Sequence, residues 1–182
     1  ITDRQTGATL PQGEIGEIEV RGPNVFQGYW QMPEKTAEEL RENGFFITGD
    51  LGKIDEDGYL HIVGRNKDLI ISGGYNIYPK EIELLLDNEA GVLESAVVGV
   101  PHPDFGETVV GVVVAEKGVE LDLDQLKQNI SGSLARFKQP QKLFVVDELP
   151  RNTMGKVQKK ALREAYKNTY QKPVSYTHLR AH

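Results

Sequence analysis

The 182-residue chain contains no cysteine. Disulfides, zinc–thiolate centres and thiol nucleophiles are therefore excluded, and a reducing compartment suits the composition. No apolar run approaches the roughly 20 residues that a membrane helix needs, so no membrane span is expected. A basic excess is also lacking: 27 acidic residues face 21 Lys and Arg, for a net charge of −6. That balance gives no chain-wide attraction to nucleic acid or an anionic bilayer, although local basic patches can still meet phosphates. The start, Ile1-Thr2-Asp3-Arg4, has neither an initiator Met nor the apolar stretch of a signal peptide, and reads as the middle of a longer reading frame. A cytoplasmic location is the expectation, with any organelle-targeting signal out of view. No repeat of 20–50 residues appears. The last ten residues, 173–182, show no periodicity or capping logic and resemble a translated cloning adapter. His178 and His182 are accordingly poor metal ligands, and no metal site is expected in the chain.

Apolar residues make up 38% and charged residues 26%, the balance of a globular protein with a real core. Glu14 to Val20 alternates like a strand, and Pro33 to Glu42 reads as a short helix ended by Asn43-Gly44. Asp57-Gly58 supplies the turn of a hairpin within Lys53–Ile62. A second hairpin runs from Leu69 to Ile77 about Ser72-Gly73-Gly74, and Pro79 opens a helix with Ile82, Leu85 and Leu86 on one face. Val-rich strands follow at Ala96–Val100 and Val109–Ala115. The reading continues with a helix over Asp122–Phe137, a strand at Leu143–Val146 and a helix over Lys159–Tyr170. β-rich material followed by alternating strands and helices means an α+β fold in two parts. The expected division is 1–64, a β-rich subdomain, then 65–172, a small α/β domain, with 173–182 as the extraneous tail.

Three segments could carry chemistry. Thr48-Gly49-Asp50 places a carboxylate after a glycine at a strand end. Such an Asp can accept hydrogen bonds from a vicinal diol, or simply cap its own turn. Gly64 to Glu83 joins Arg65, the glycine-tipped hairpin and a helix start within 20 residues, a layout that lets a ligand approach the backbone. Pro150-Arg151-Asn152-Thr153-Met154-Gly155-Lys156 holds a lysine on a glycine-containing loop before a helix, a point charge suited to phosphate. It is not a Walker A loop, because its first glycine is missing and Val157 replaces the Ser/Thr. Taken singly, each segment reads as an ordinary turn, hairpin or solvated surface loop. His61 reads as a surface strand residue, His102 as part of a rigid Pro-His-Pro turn, and Tyr29-Trp30 as a packing cluster. Arg136, Lys138 and Lys142 form a basic face that could meet phosphates or only water.

Taken together, in this order and spacing, the segments resemble the C-terminal signature set of the adenylate-forming superfamily: acyl-CoA synthetases, peptide-synthetase adenylation domains and beetle luciferases. The resemblance spans about Gly7 to Tyr170. Within the superfamily the chain is most similar to malonyl-CoA synthetases, through Ile70 to Glu81, Leu134 to Pro140 and Pro150 to Lys159. It implies the end of a large adenylation domain followed by a mobile lid. The implied reaction is ATP-dependent: a carboxylic acid attacks the α-phosphate to give an acyl-adenylate and pyrophosphate, and the thiol of coenzyme A then displaces AMP.

By the same resemblance Asp50 holds both ribose hydroxyls, Arg65 supports that ribose, and Lys156 is both nucleotide-binding and the adenylating lysine. Lys67 falls at the hinge on which the lid rotates, and Ser72, Gly73 and Gly74 line the path of the pantetheine arm. Mg²⁺ would be held mainly by a large N-terminal domain that also carries the phosphate loop and acid pocket, so the chain alone is expected to be inactive. Lys156 would also be the target of a lysine acyltransferase and deacylase. Two other readings are an adenylation domain that loads a carrier protein, and a non-catalytic binding module derived from such a lid. A following carrier domain would favour the first, and loss of Lys156 or Asp50 the second; neither feature is seen.

Overall fold

A computed structural model describes residues 1–171, which pack as two compact units dividing between Leu69 and Ile70. The sequence reading placed this division a few residues earlier. The tail at 173–182 lies outside the described residues.

The first unit is a three-stranded antiparallel sheet of β1 (Gly16–Val20), β2 (Phe46–Ile54) and β3 (Leu60–Arg65) in that order, with helix α1 (Pro33–Glu39) between β1 and β2. The β2–β3 turn is built by Asp55, whose carboxylate accepts the N–H groups of Asp57 (3.0 Å) and Tyr59 (2.8 Å). The Asp57-Gly58 signal is thus realised, with Gly58 at φ 87°. Gly52 sits where β2 bulges; a Cβ there would lie 2.7 Å from the His61 carbonyl, so only glycine allows the approach. The Glu19 side chain, little exposed, pairs with Arg41 at 2.7 Å. Burial alone would raise its carboxyl, but hydrogen bonds from Arg41 and Thr2 outweigh burial and hold its pKa below the usual range.

Two expectations for this unit are corrected. Helix α1 stops at Glu39 rather than Glu42, because Leu40 turns extended to bridge Phe46 and Arg41 donates its N–H to the Phe45 carbonyl. Trp30 joins no cluster: it is 87% exposed, while Tyr29 packs edge-on against Phe26, which in turn packs on Phe46.

The second unit is a five-stranded mixed sheet. Its long central hairpin is β6 (Val92–His102) with β7 (Gly106–Ala115). The other edge of β7 carries the short hairpin β4 (Ile70–Ser72)–β5 (Tyr75–Ile77) at its start and β8 (Lys142–Val146), in parallel, along its length. Helices α2 (Pro79–Asp87) and α3 (Leu123–Ser131) cover one face, packing Ile82, Leu86, Leu126 and Ile130 on Val97, Val109 and Val113. On the opposite face α4 (Lys159–Tyr166) sets Leu162 and Tyr166 against Val98, Val100, Val110, Val112 and Val114. Burial on both faces explains why Val109–Val114 is continuously apolar rather than alternating. Gly111 completes the packing, since a Cβ there would come within 2.5 Å of Leu143.

Helix α3 begins on Asp122, whose carboxylate caps the N–H groups of Asp124 and Gln125 at 3.0 Å. It ends at Ser131, six residues short of the expected Phe137. Gly132 and Ser133 weaken it, and the Gln139 amide takes the freed carbonyls of Ser131 (3.1 Å) and Leu134 (3.2 Å). Leu134 still reaches the core, and Arg136–Lys138 forms a separate 3₁₀ turn. Helix α4 likewise closes at Tyr166, where Thr169 folds back to donate to the Tyr166 carbonyl.

One amide on the free edge of β6 is capped by a side chain. Glu83 of α2, only 6% exposed, accepts the Val97 N–H at 2.8 Å and pairs with Lys159 of α4 at 2.6 Å. Replacing Glu83 by Ala orphans both an amide and a largely buried ammonium, a defect worth about 3 kcal/mol. A chemical-denaturation series should show that loss in the second unit, with Glu83→Gln costing less because it keeps an acceptor for Val97. Unchanged hydrogen exchange at the Val97 amide in Glu83→Ala would contradict the assignment.

Candidate nucleotide and thiol sites

In the first unit, Asp50 and Arg65 face each other across β2 and β3, and Arg65 Nε donates to Asp50 Oδ1 at 2.7 Å. The preceding turn is fixed by Thr48, whose hydroxyl donates to the Ile18 carbonyl (2.9 Å) and accepts the Asp50 N–H (3.1 Å). Asp50 is thereby aimed by its neighbour, and its carboxylate keeps free lone pairs, enough for further donors such as a diol. Beside the pair lies a cleft of about 270 Å³ lined by Arg4, Gly49, Arg65, Asn66 and Lys67. Lys67 belongs to the 3₁₀ turn Asn66–Asp68, two residues before the end of this unit.

In the second unit the β4–β5 hairpin turns on Gly73 (φ 56°) and Gly74 (φ 84°), the two positive values that a two-residue type I′ turn requires. Its tip is tied down by the Gly73 N–H, which donates to the Phe105 carbonyl at 2.9 Å. A Cβ on Gly74 would meet nothing within 4 Å, so the fold leaves space there that its own packing does not use.

Lys156 is presented by a rigid loop. Arg151 and Val157 bridge its base, and the Asn152 carboxamide accepts the N–H groups of Met154 (3.0 Å) and Lys156 (2.9 Å). Gly155 takes φ 79°, and its carbonyl receives Arg151 Nη1 at 2.7 Å. Arg151 also pairs with Glu94, which anchors the loop near the start of β6. Lys156 itself is exposed and has no anionic partner among the described residues. The sequence reading singled out the lysine but not Asn152, although Asn three residues before a glycine is a turn signal that could have marked it.

The structure brings Asp50 and Arg65 together and keeps the hairpin tip and the Lys156 loop apart. The loop is held at Glu94, whereas the tip is held beside the Gly106 partner of His102, at the other end of the same strand. Eight strand steps, at about 3.3 Å each, separate those anchors by roughly 26 Å. His102 stacks on Phe105, and His61 pairs with Asp55; neither lies beside a nucleophile. Asn152→Ala should raise hydrogen exchange at the Met154 and Lys156 amides about fivefold, the effect of a net loss of about 1 kcal/mol per bond, and leave the α4 amides protected. Equal exchange in the two proteins would show that Asn152 does not hold the loop.

Residues 81–156 match the family model described as the AMP-binding enzyme C-terminal domain. Among solved structures, ATP-bound MatB from Rhodopseudomonas palustris superposes with a TM-score of 0.89 at 62% identity, covering 94% of this chain and 34% of that one. Among curated proteins, a feruloyl-CoA synthase of an Amycolatopsis species is 47% identical over 161 residues, 88% of this chain and 33% of its own length. The indoleacetate–CoA ligase of Aromatoleum aromaticum is 46% identical over 158 residues, 87% of this chain and 31% of its own. The chain thus spans about a third of the length of the relatives it matches. Matched in sequence to acyl-CoA ligases and in structure to MatB along nearly all of its described length, the chain belongs to the AMP-binding, adenylate-forming superfamily.

Proposed function

We propose that the chain is the lid-bearing C-terminal portion of an ATP-dependent acid–CoA ligase, and that its acid is malonate. The curated relatives name several acids; the choice of malonate rests on the 62% identity to MatB and on the sequence resemblance to malonyl-CoA synthetases. The observation that carries the ligase reading is the separation of the Lys156 loop and the Gly74 tip to opposite ends of one sheet. A lid so built serves two reactions in turn, because it cannot offer both ends to one reaction centre at once.

In the first reaction Asp50, aimed by Arg65, accepts the ribose hydroxyls of ATP. The Lys156 ammonium meets negative charge growing on the α-phosphoryl oxygens as the acid attacks. Such a charge stabilises the transition state more than the ground state, because its partner develops only during reaction. Lys67, in its short turn, absorbs the backbone rotation that exchanges one lid face for the other. In the second reaction Ser72, Gly73 and Gly74 border the pantetheine arm as its thiol displaces AMP. Mg²⁺ is typical of such chemistry, but among the described residues no three His, Asp or Glu side chains converge, so no step is assigned to a metal held by this chain. A lysine acyltransferase acting on Lys156 would remove the charge, and a deacylase would restore it.

The test uses an enzyme completed by joining the chain to the N-terminal two thirds of the Rhodopseudomonas palustris MatB. Lys156→Ala should slow acyl-adenylate formation by roughly 10²–10³-fold, the effect of deleting one transition-state donor. Thioester formation from supplied malonyl-AMP should largely survive. Enzymatic acylation of Lys156 should reproduce the first loss, and deacylation should reverse it. Gly74→Leu should give the opposite result: pyrophosphate exchange is kept and CoA-dependent turnover falls. Gly74→Asn, which tolerates positive φ, separates blockage of the arm from backbone strain. Equal damage to both half-reactions by either Lys156→Ala or Gly74→Leu, in protein of unchanged melting temperature, would refute the alternation.

A further inference from the structure

The β4–β5 hairpin is thinly attached to the sheet. β4 is three residues long and makes a single ladder pairing with β7, Ser72 to Gly106. On one side of that pairing the Gly73 N–H donates to the Phe105 carbonyl at 2.9 Å. On the other side the tie is a side chain: Glu107 Oε2 accepts the Ile71 N–H at 2.9 Å. Ile71, Ser72 and Gly73 thus hang in turn from Glu107, Gly106 and Phe105. So short an edge strand frays readily unless its few bonds are strong ones, and an ionised acceptor makes the strongest.

The surroundings of Glu107 fit this duty. Side chains alternate along a strand, so Glu107 shares the face of Val109, which α2 and α3 cover, and Thr108 turns to the other face. Among the described residues the Glu107 carboxylate has no cationic partner, so no ion pair competes for it. The neighbouring strand leaves it room. A Cβ on Gly99 of β6 would lie 3.1 Å from Glu107 Cδ and Oε1, and 3.0 Å from Ile70 Cγ2. Gly99 takes no positive φ, so its use is spatial: it keeps open the seat that the carboxylate and the start of β4 occupy.

We infer that Glu107 is a positioning residue for thiol transfer: by holding the Ile71 amide it fixes the Ser72–Gly74 tip in the pose that borders the incoming thiol arm. The inference rests on the ligase reading. Glu107 touches no substrate and acts only through the hairpin, so its contribution is an acceptor at the right reach and not a negative charge. Without it the tip samples other poses, and the thiol meets the acyl-adenylate less often in a productive geometry. Acid activation, served by the Lys156 loop at the far end of the sheet, is untouched.

Two measurements test the assignment. In the chain itself, Glu107→Ala should raise hydrogen exchange at the Ile71 and Gly73 amides roughly tenfold, with the amides of Val109 to Val113 still protected. In the joined enzyme the same variant should slow thioester formation from supplied malonyl-AMP roughly tenfold and leave pyrophosphate exchange unchanged. Glu107→Gln keeps an acceptor at the same reach and should stay within about threefold of the unsubstituted enzyme. Glu107→Asp keeps the charge but is one methylene short, and should behave like Glu107→Ala. The opposite order, with Asp active and Gln impaired, would show that charge acts and not the bond, and would overturn the assignment. Unchanged exchange at Ile71 in Glu107→Ala, or equal loss in both half-reactions at an unchanged melting temperature, would overturn it too. Failure of the ligase reading looks different: Lys156→Ala and Gly74→Leu would then not separate the half-reactions, whatever the exchange at Ile71.

Discussion

One buried carboxylate ties three elements of the second unit together. Glu83 reaches from α2 to the open edge of β6, satisfies the Val97 amide there, and draws in Lys159 from the helix on the opposite face. An open edge with free amides invites pairing with another chain, and here a charged side chain takes up one of those amides. The clamp also ties together both candidate functional loops. Helix α2 starts directly after the Ser72–Gly74 hairpin, and α4 starts three residues after Lys156. The helices that follow both loops are therefore joined by one ion pair, while each loop keeps its own ties to Phe105 and to Glu94.

Charge pairing sorts the cations of this unit. Lys138, Arg151 and Lys159 are each held by a glutamate and act as ties between elements. Lys156 and Arg136 are among those without an anionic partner in the described residues, one at each end of the sheet. Cations on well-braced turns without internal counter-ions are suited to meeting external anions, because no existing pair has to be broken first. Asp50 shows the complementary device: Arg65 fixes its direction but leaves acceptor capacity for a ligand.

The local parts of this architecture were legible in the sequence. Asp57-Gly58 and Gly73-Gly74 marked turns because positive φ restricts the residue choice, and Asp122 marked a helix start because its carboxylate caps free amides. The valine runs marked the central strands but understated them. Polar residues such as Glu94 and Glu107 belong to β6 and β7, and they escape apolar-pattern reading by bonding to Arg151 and to the Ile71 amide. The overlong α3 came from following Leu134 in helical register; it is buried from a turn instead, held by Gln139. Long-range pairs left no local trace. Glu83 with Lys159, and Phe137 with Tyr75, lie more than 60 residues apart and are joined only by the fold.

The length of the β6–β7 hairpin has a consequence for how such a protein diversifies. Its two working ends share a rigid sheet but no side chains, so a change at one end is mechanically insulated from the other. Residues around Phe105 and Arg136 can drift while the turn that carries Lys156 keeps its geometry. The strand acts as an evolutionary spacer, allowing the surface at one end to change without disturbing the loop at the other.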